Sequence, residues 1–186
     1  MNEIHTTNVS VDDVIDFWFV QISPKQWWVK DIELDLHIKN TYGATIQAAI
    51  KGELQHWRKD AQGRLAEIIV LDQFSRNIYR DTPTAFAADN IALELAQQAV
   101  ALGCLAELPI QQAAFLIMPY MHSESIVIHQ QALPLFEQYA PDNLRSQRQH
   151  QAIIAQFNRY PHHNALLGRE STAAELTFLT QPGSRF

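Results

Sequence analysis

Within nine residues, Asp72-Gln73-Phe74-Ser75-Arg76-Asn77-Ile78-Tyr79-Arg80 carries five planar, directional polar groups. A hydrated helix face would normally carry Lys and Glu, whereas Asp72, Gln73, Arg76, Asn77 and Arg80 suit a shared hydrogen-bond network. At about 100° per residue they fall within one sector of about 140°, and Asp72 and Arg76 are spaced to pair. Two guanidiniums against one carboxylate leave positive charge, which a ligand carboxylate or phosphate would neutralise by bidentate contact. The alternative is a buried structural network that fixes how helices dock.

Two other segments could complete a site. Met118-Pro119-Tyr120-Met121-His122-Ser123-Glu124 places an imidazole, a hydroxyl and a carboxylate at the expected start of a helix, where the dipole favours anions. Ser123 as a cap and Glu124 as a dipole complement is the structural alternative. Arg159-Tyr160-Pro161-His162-His163-Asn164, continuing to Leu167-Gly168-Arg169-Glu170-Ser171, adds two arginines and two histidines. Arg159, His162, Asn164 and Arg169 join the candidate ligand set, although both arginines could instead cap helix ends or bridge carboxylates. No H-E-x-x-H pattern backs metal binding by His122, Glu124, His162 and His163, so no metal and no cofactor is expected. Cys104 follows Gly103 at a helix end where the dipole disfavours a thiolate. Trp27 and Trp28, with Phe17, Trp18 and Phe19, read as a core cluster, with a lid or partner contact as the alternative. His150 shares a face with Ile153, Ile154 and Phe157 and reads as a hydrogen-bonded core histidine.

The elements that must position these groups are helices, because the apolar periodicity is near 3.6 throughout. Ser10 with Asp13 predicts a capped first helix ending before Pro24. A second runs from Asp31 along Leu34, Ile38, Tyr42, Ile46, Ile50 and Trp57, with a break possible near Gly52. Asp60 caps a third to about Arg80, apolar in nearly every direction upstream and therefore central and enclosed. Asp89 is expected to cap a fourth, with Ile91, Leu95, Ala99 and Leu102 inward and Gly103 ending it. Pro109 opens a short helix that Pro119 should stop. Further helices are predicted over Ser123–Tyr139, kinked at Pro134, over Asn143–Phe157, and from a Thr172/Glu175 capping box through Leu179.

The class follows: all-α, one helical domain over residues 1–186, with helices joined by short turns. Apolar residues make up 47% of the 186 against 18% charged, enough for a real core. Fourteen Lys and Arg against twenty Asp and Glu give a net charge of −6, which argues against nucleic acid as partner. One cysteine excludes a disulfide framework. The polar stretch Met1–Ser10 reads as no signal peptide, and the apolar run Ala113–Met118 is too short to span a bilayer, so a cytoplasmic location without membrane attachment is expected. Nothing sets the oligomeric state.

Taken in order, Leu71–Arg80, Ala85–Asp89, Pro119–Glu124 and Arg159–Asn164 with Gly168–Thr172 resemble the motifs of a mainly bacterial family catalogued as domain of unknown function nine-two-four. The resemblance covers about Val11 to Leu179. It implies a tetratricopeptide-like fold, antiparallel helix pairs in a compact right-handed superhelix, and carries no activity or catalytic residues. Where Ser75 stands the family commonly has proline, and where His163 stands arginine, which removes one cation here. The leading functional expectation is a module whose polar pocket binds an anionic small molecule or a peptide carboxylate. The competing ones are a small-molecule hydrolase, with His122 as general acid/base oriented by Glu124 or Asp72, and a scaffold that binds protein helices.

Overall fold

The computed structural model describes residues 9–184, so the signal-peptide reading of Met1–Ser10 lies outside the described residues up to residue 8. Helix α1 (Val11–Asp16) begins as expected: Ser10 accepts from the Asp13 N–H, and the Asp13 carboxylate accepts from the Ser10 N–H at 2.8 Å. It continues as a π-helix over Phe17–Gln21, burying Phe17 and Trp18. α2 (Ile32–Ile50) ends before Gly52, whose φ of 73° is left-handed and free of strain without a Cβ.

α3 (Ala61–Ile69) starts from Asp60, whose side chain accepts the Gly63 N–H at 2.8 Å. The helix then widens into a π turn over Val70–Phe74 and closes as α4 (Ser75–Ile78). Leu65, Ile68, Ile69, Val70, Leu71 and Phe74 are fully buried, each contributing about 1.5–3 kcal/mol of apolar transfer. α1, α5 and α6 pack on α3 while α2 packs on the π turn and α4, so residues 61–78 are the central, enclosed helix.

α5 (Asp89–Ala101) corrects two expectations. Ala88 occupies the N-cap position and Asp89 makes no cap bond, because its carboxylate is drawn to Arg76. The inward face is Ala92, Leu95, Ala96 and Ala99, with Ile91 half-buried and Leu102 62% exposed. Small alanines let α5 approach the central helix closely.

α6 (Ile110–His122) corrects a third: it runs through Pro119 for three more residues. A helical proline loses one backbone donor and crowds the carbonyl a turn back, costing about 3 kcal/mol. Burial of Met118, Tyr120 and Met121 offsets that cost. α7 (Ile126–Tyr139) contains Pro134, and α8 (Leu144–Phe157) ends at Asn158 in the left-handed region. α9 (Ala173–Leu179) follows the Thr172/Glu175 box. α5 packs on α6, α6 on α7 and α7 on α8. All described elements are helical, the all-α class. No described helix is long and apolar enough to cross a membrane.

Candidate functional site

A cavity of about 770 Å³ opens beside the central helix. Gln73, Arg76, Asn77 and Arg80 form one wall, Met121 and His122 at the end of α6 a second, and His150, Tyr160, His162 and His163 a third. Trp27, Trp28, Phe86 and Met118 supply apolar surface.

The π turn holds an extra residue in its ring, a feature frequent at functional sites. It leaves Asp72 fully buried behind the wall that Gln73 and Arg76 present. Asp72 Oδ1 accepts from Arg76 Nη1 at 2.9 Å and from His122 Nδ1 at 2.7 Å, and Oδ2 accepts from Gln73 Nε2 at 2.6 Å. Burial pushes this carboxyl up, but the charges of Arg76 and then His122, with the hydrogen bonds, more than offset it and hold the pKa at about 2. Asp72 is therefore ionised and accepts only, so His122 carries its proton on Nδ1. Nε2 of His122 bonds nothing among the described residues, and the side chain is 18% exposed on the cavity wall.

Arg76 is held from two sides. Its Nη1 and Nη2 donate to Asp89 at 2.8 and 3.0 Å, and Nη1 also donates to the Asp72 carbonyl at 3.0 Å. Its guanidinium lies 5.7 Å over the Phe86 ring. Burial lowers the Arg76 pKa, Asp72 and Asp89 raise it more, and Asp89 itself is raised by burial. Arg80 donates through Nε and Nη2 to Asp35 at 2.7 and 2.9 Å, and Asn77 donates to the same carboxylate at 2.7 Å. Three carboxylates thus face two guanidiniums, which corrects the expected surplus of positive charge. Asp35 on α2 and Asp89 on α5 supply the difference. Donors still remain: Arg76 Nε and Arg80 Nη1 bond nothing among the described residues.

The other predicted residues divide. His162 lines the cavity, whereas Ser123, Glu124, Arg159, Asn164 and Arg169 do not. Arg159 is paired bidentately with Glu175 at 2.5 and 2.7 Å and donates to the Glu170 carbonyl at 3.0 Å. That hydrogen bonding from Arg159 holds the Glu175 carboxyl down at about 2. Arg169 donates twice to Glu124, at 2.6 and 2.9 Å, and Glu124 also accepts the Tyr160 N–H at 2.7 Å. Glu124 therefore clamps the Tyr160 segment, and Asp72 is the carboxylate that orients His122. Ser123 does not cap α7: Ser125 stands at the N-cap, and the Ser123 carbonyl accepts from His129 Nε2 at 2.8 Å. Asn164 is buried and donates to Ser171 Oγ at 3.0 Å. Because α6 continues past Pro119, His122 sits at a helix C-terminus and not at the anion-favouring end of the next helix.

Several lining residues lay outside the predicted set. His150 donates from Nδ1 to the Ser146 carbonyl at 2.8 Å, as a bonded histidine should, yet also borders the cavity. His163 packs against Phe86 with ring centroids 4.2 Å apart and the planes tilted by 32°. Burial first, then His162 and Arg76, keep it neutral down to about pH 2. Tyr160 donates to the Met121 carbonyl at 2.5 Å. Phe17 and Trp18 are core, but Trp28 is 59% exposed and stacks on Phe115 at 5.9 Å. A sequence signal existed for Asp35, which follows the buried Leu34 at the edge of the α2 stripe, and for Trp27 and Trp28 in the alternative reading as a lid or contact surface; none existed for Phe86. Among the described residues no group of three or more His, Cys, Asp or Glu could hold a metal ion.

No curated protein matches the sequence. The solved structure of a protein of unknown function, ATU0120 from Agrobacterium tumefaciens, is similar with a TM-score of 0.87 and 32% identity, over 91% of this chain and 96% of that one. The model of the family described as bacterial protein of unknown function (DUF924) matches residues 14–183. With its four ordered motifs gathered in one helical fold, the chain belongs to the DUF924 family of bacterial proteins of unknown function.

Proposed function

We propose that the protein binds a small amphipathic molecule, with an acceptor oxygen group against Arg76 and Arg80 and an apolar body against Trp27, Trp28, Phe86 and Met118. The observation that carries this is the cavity itself: about 770 Å³ lies within the usual ligand-pocket range, with Arg76 and Arg80 on one wall and the apolar surface of Trp27, Trp28, Phe86 and Met118 in the same space. A carboxylate, including that of a peptide, or a phosphate is the favoured head, since the spare guanidinium donors are charge-assisted. Both cations are already compensated, so affinity rests on directional bonds and depends weakly on salt.

The test is a thermal-shift screen of aromatic carboxylates and phosphate esters, followed by calorimetry on Trp28→Ala and Arg80→Gln. Trp28 is 59% exposed, so its loss should spare the fold. Each variant should weaken a hit by about tenfold, or about 1.4 kcal/mol. Unchanged affinity in both, or no hit from either class, removes the proposal.

A further inference from the structure

We propose that this cavity is also a hydrolytic site, in which His122 Nε2 activates water against the carbonyl carbon of a carboxylic ester whose oxygen is bonded by Arg76. The inference rests on the small-molecule reading above and adds to it a reaction and a substrate class.

A second histidine of the same fold shows what distinguishes His122. His129 is fully buried with both ring nitrogens engaged: Nε2 donates to the Ser123 carbonyl, and Nδ1 accepts from Gln147 Nε2 at 3.0 Å. That is how a structural imidazole is satisfied. His122 is satisfied on one side only. Its Nδ1–H is fixed by an ionised, fully buried carboxylate at 2.7 Å, while Nε2 bonds nothing among the described residues and the residue lines the cavity. A base held in one tautomer by a second group, with the reactive nitrogen toward bound substrate, is the arrangement of general-base catalysis.

The electrophilic partner is adjacent. Asp72 Oδ1 is shared by His122 Nδ1 and Arg76 Nη1, so imidazole and guanidinium meet at one oxygen atom. Arg76 is locked by Asp89 and Phe86 and keeps Nε–H unbonded among the described residues. Such a donor is organised before charge develops, the condition under which oxyanion stabilisation is large.

The step balances without any group beyond substrate and water. Water gives one proton to Nε2 as its oxygen bonds the carbonyl carbon, and the carbonyl π electrons move to the oxygen facing Arg76. The intermediate re-forms the carbonyl and breaks the bond to the alkoxide oxygen. The imidazolium, stabilised by Asp72, returns its proton to that alkoxide, leaving one acid, one alcohol and neutral His122. Trp27, Trp28 and Met118 favour esters with an aromatic or extended apolar portion. Asp72 acts through His122 as a positioning residue.

The test uses p-nitrophenyl esters of benzoic and medium-chain acids as probes, with calorimetry of benzoate and of a medium-chain carboxylate as the binding control. His122→Ala should lower kcat/KM by at least about 100-fold while carboxylate binding persists, and added imidazole should restore part of the rate. Asp72→Asn should cut kcat while leaving carboxylate binding in place, because a neutral amide no longer holds the imidazole in the tautomer that leaves Nε2 free to accept a proton. Wild-type carboxylate binding without ester turnover overturns the hydrolytic inference and leaves the binding reading standing. Turnover equal in wild type and His122→Ala overturns it too, whereas absence of both binding and turnover removes both readings.

Discussion

Acidification from about pH 7.5 to about pH 5 should cost the folded chain about 4 kcal/mol, through two histidines that the fold keeps neutral. Burial holds His150 at about 3, against the opposing bond to the Ser146 carbonyl, and the neighbouring His122, His129 and His162 lower it further. His163 is held at about 2 by burial and by His162, Arg76, His122 and Arg169. Unfolded histidine titrates near 6.5, so below that pH the unfolded chain binds protons that the folded chain refuses. The stabilisation is complete above about pH 6.5 and is lost as pH falls toward the folded values. Each histidine costs about 1.4 kcal/mol per pH unit, hence about 2 kcal/mol at pH 5 and about 4 for the pair. Against a total of about 5–15 kcal/mol for an ordinary domain this is a large fraction. Asp72, depressed to about 2, adds its own loss only below about pH 4. Urea unfolding followed by tryptophan fluorescence at several pH values reads the slope directly. His163→Phe keeps a ring against Phe86 and cannot titrate, so it should remove about half of that slope. A free energy of unfolding that stays flat from pH 7.5 to pH 5, or a His163→Phe slope equal to wild type, would refute the reasoning.

Two substitutions probe the frame around the site. A Cβ at Gly63 would lie 1.7 Å from the Trp57 carbonyl oxygen, so Gly63→Ala must displace backbone and should cost about 3 kcal/mol or more; a melting temperature within about 2 °C of wild type would contradict that close approach. Arg159→Gln should loosen α9, seen as faster amide exchange over Ala173–Leu179, because the ties to Glu175 and the Glu170 carbonyl are cut. It should leave ligand affinity in the cavity unchanged, and a clear loss of affinity would return Arg159 to the site.

Local patterns explain most of what was legible before the fold. Ser10 with Asp13, Asp60 and Thr172 with Glu175 start helices because each cap bond closes within three residues. The polar sector of residues 72–80 survives the π turn, since Gln73, Arg76, Asn77 and Arg80 still share one wall. Asp89 failed as a cap for a non-local reason: Arg76, 13 residues earlier, competes for its carboxylate. Pro119 failed as a stop because the burial that offsets its cost is set by the surrounding helices and not by its own neighbours.

By itself the sequence determined the helical class, the capped starts of α1, α3 and α9, the family and the polar face of the central helix, all carried by local patterns. Tertiary structure alone decided which guanidiniums are saturated. It set Asp89 and Asp35 against Arg76 and Arg80 of the cavity wall, committed Arg159 to Glu175 and Arg169 to Glu124, and turned His122 onto Asp72. Charge compensation by Asp35 on Arg80 and by Glu124 on Arg169 reaches across 45 residues of chain, and it depends on how helices cross, which no local pattern encodes.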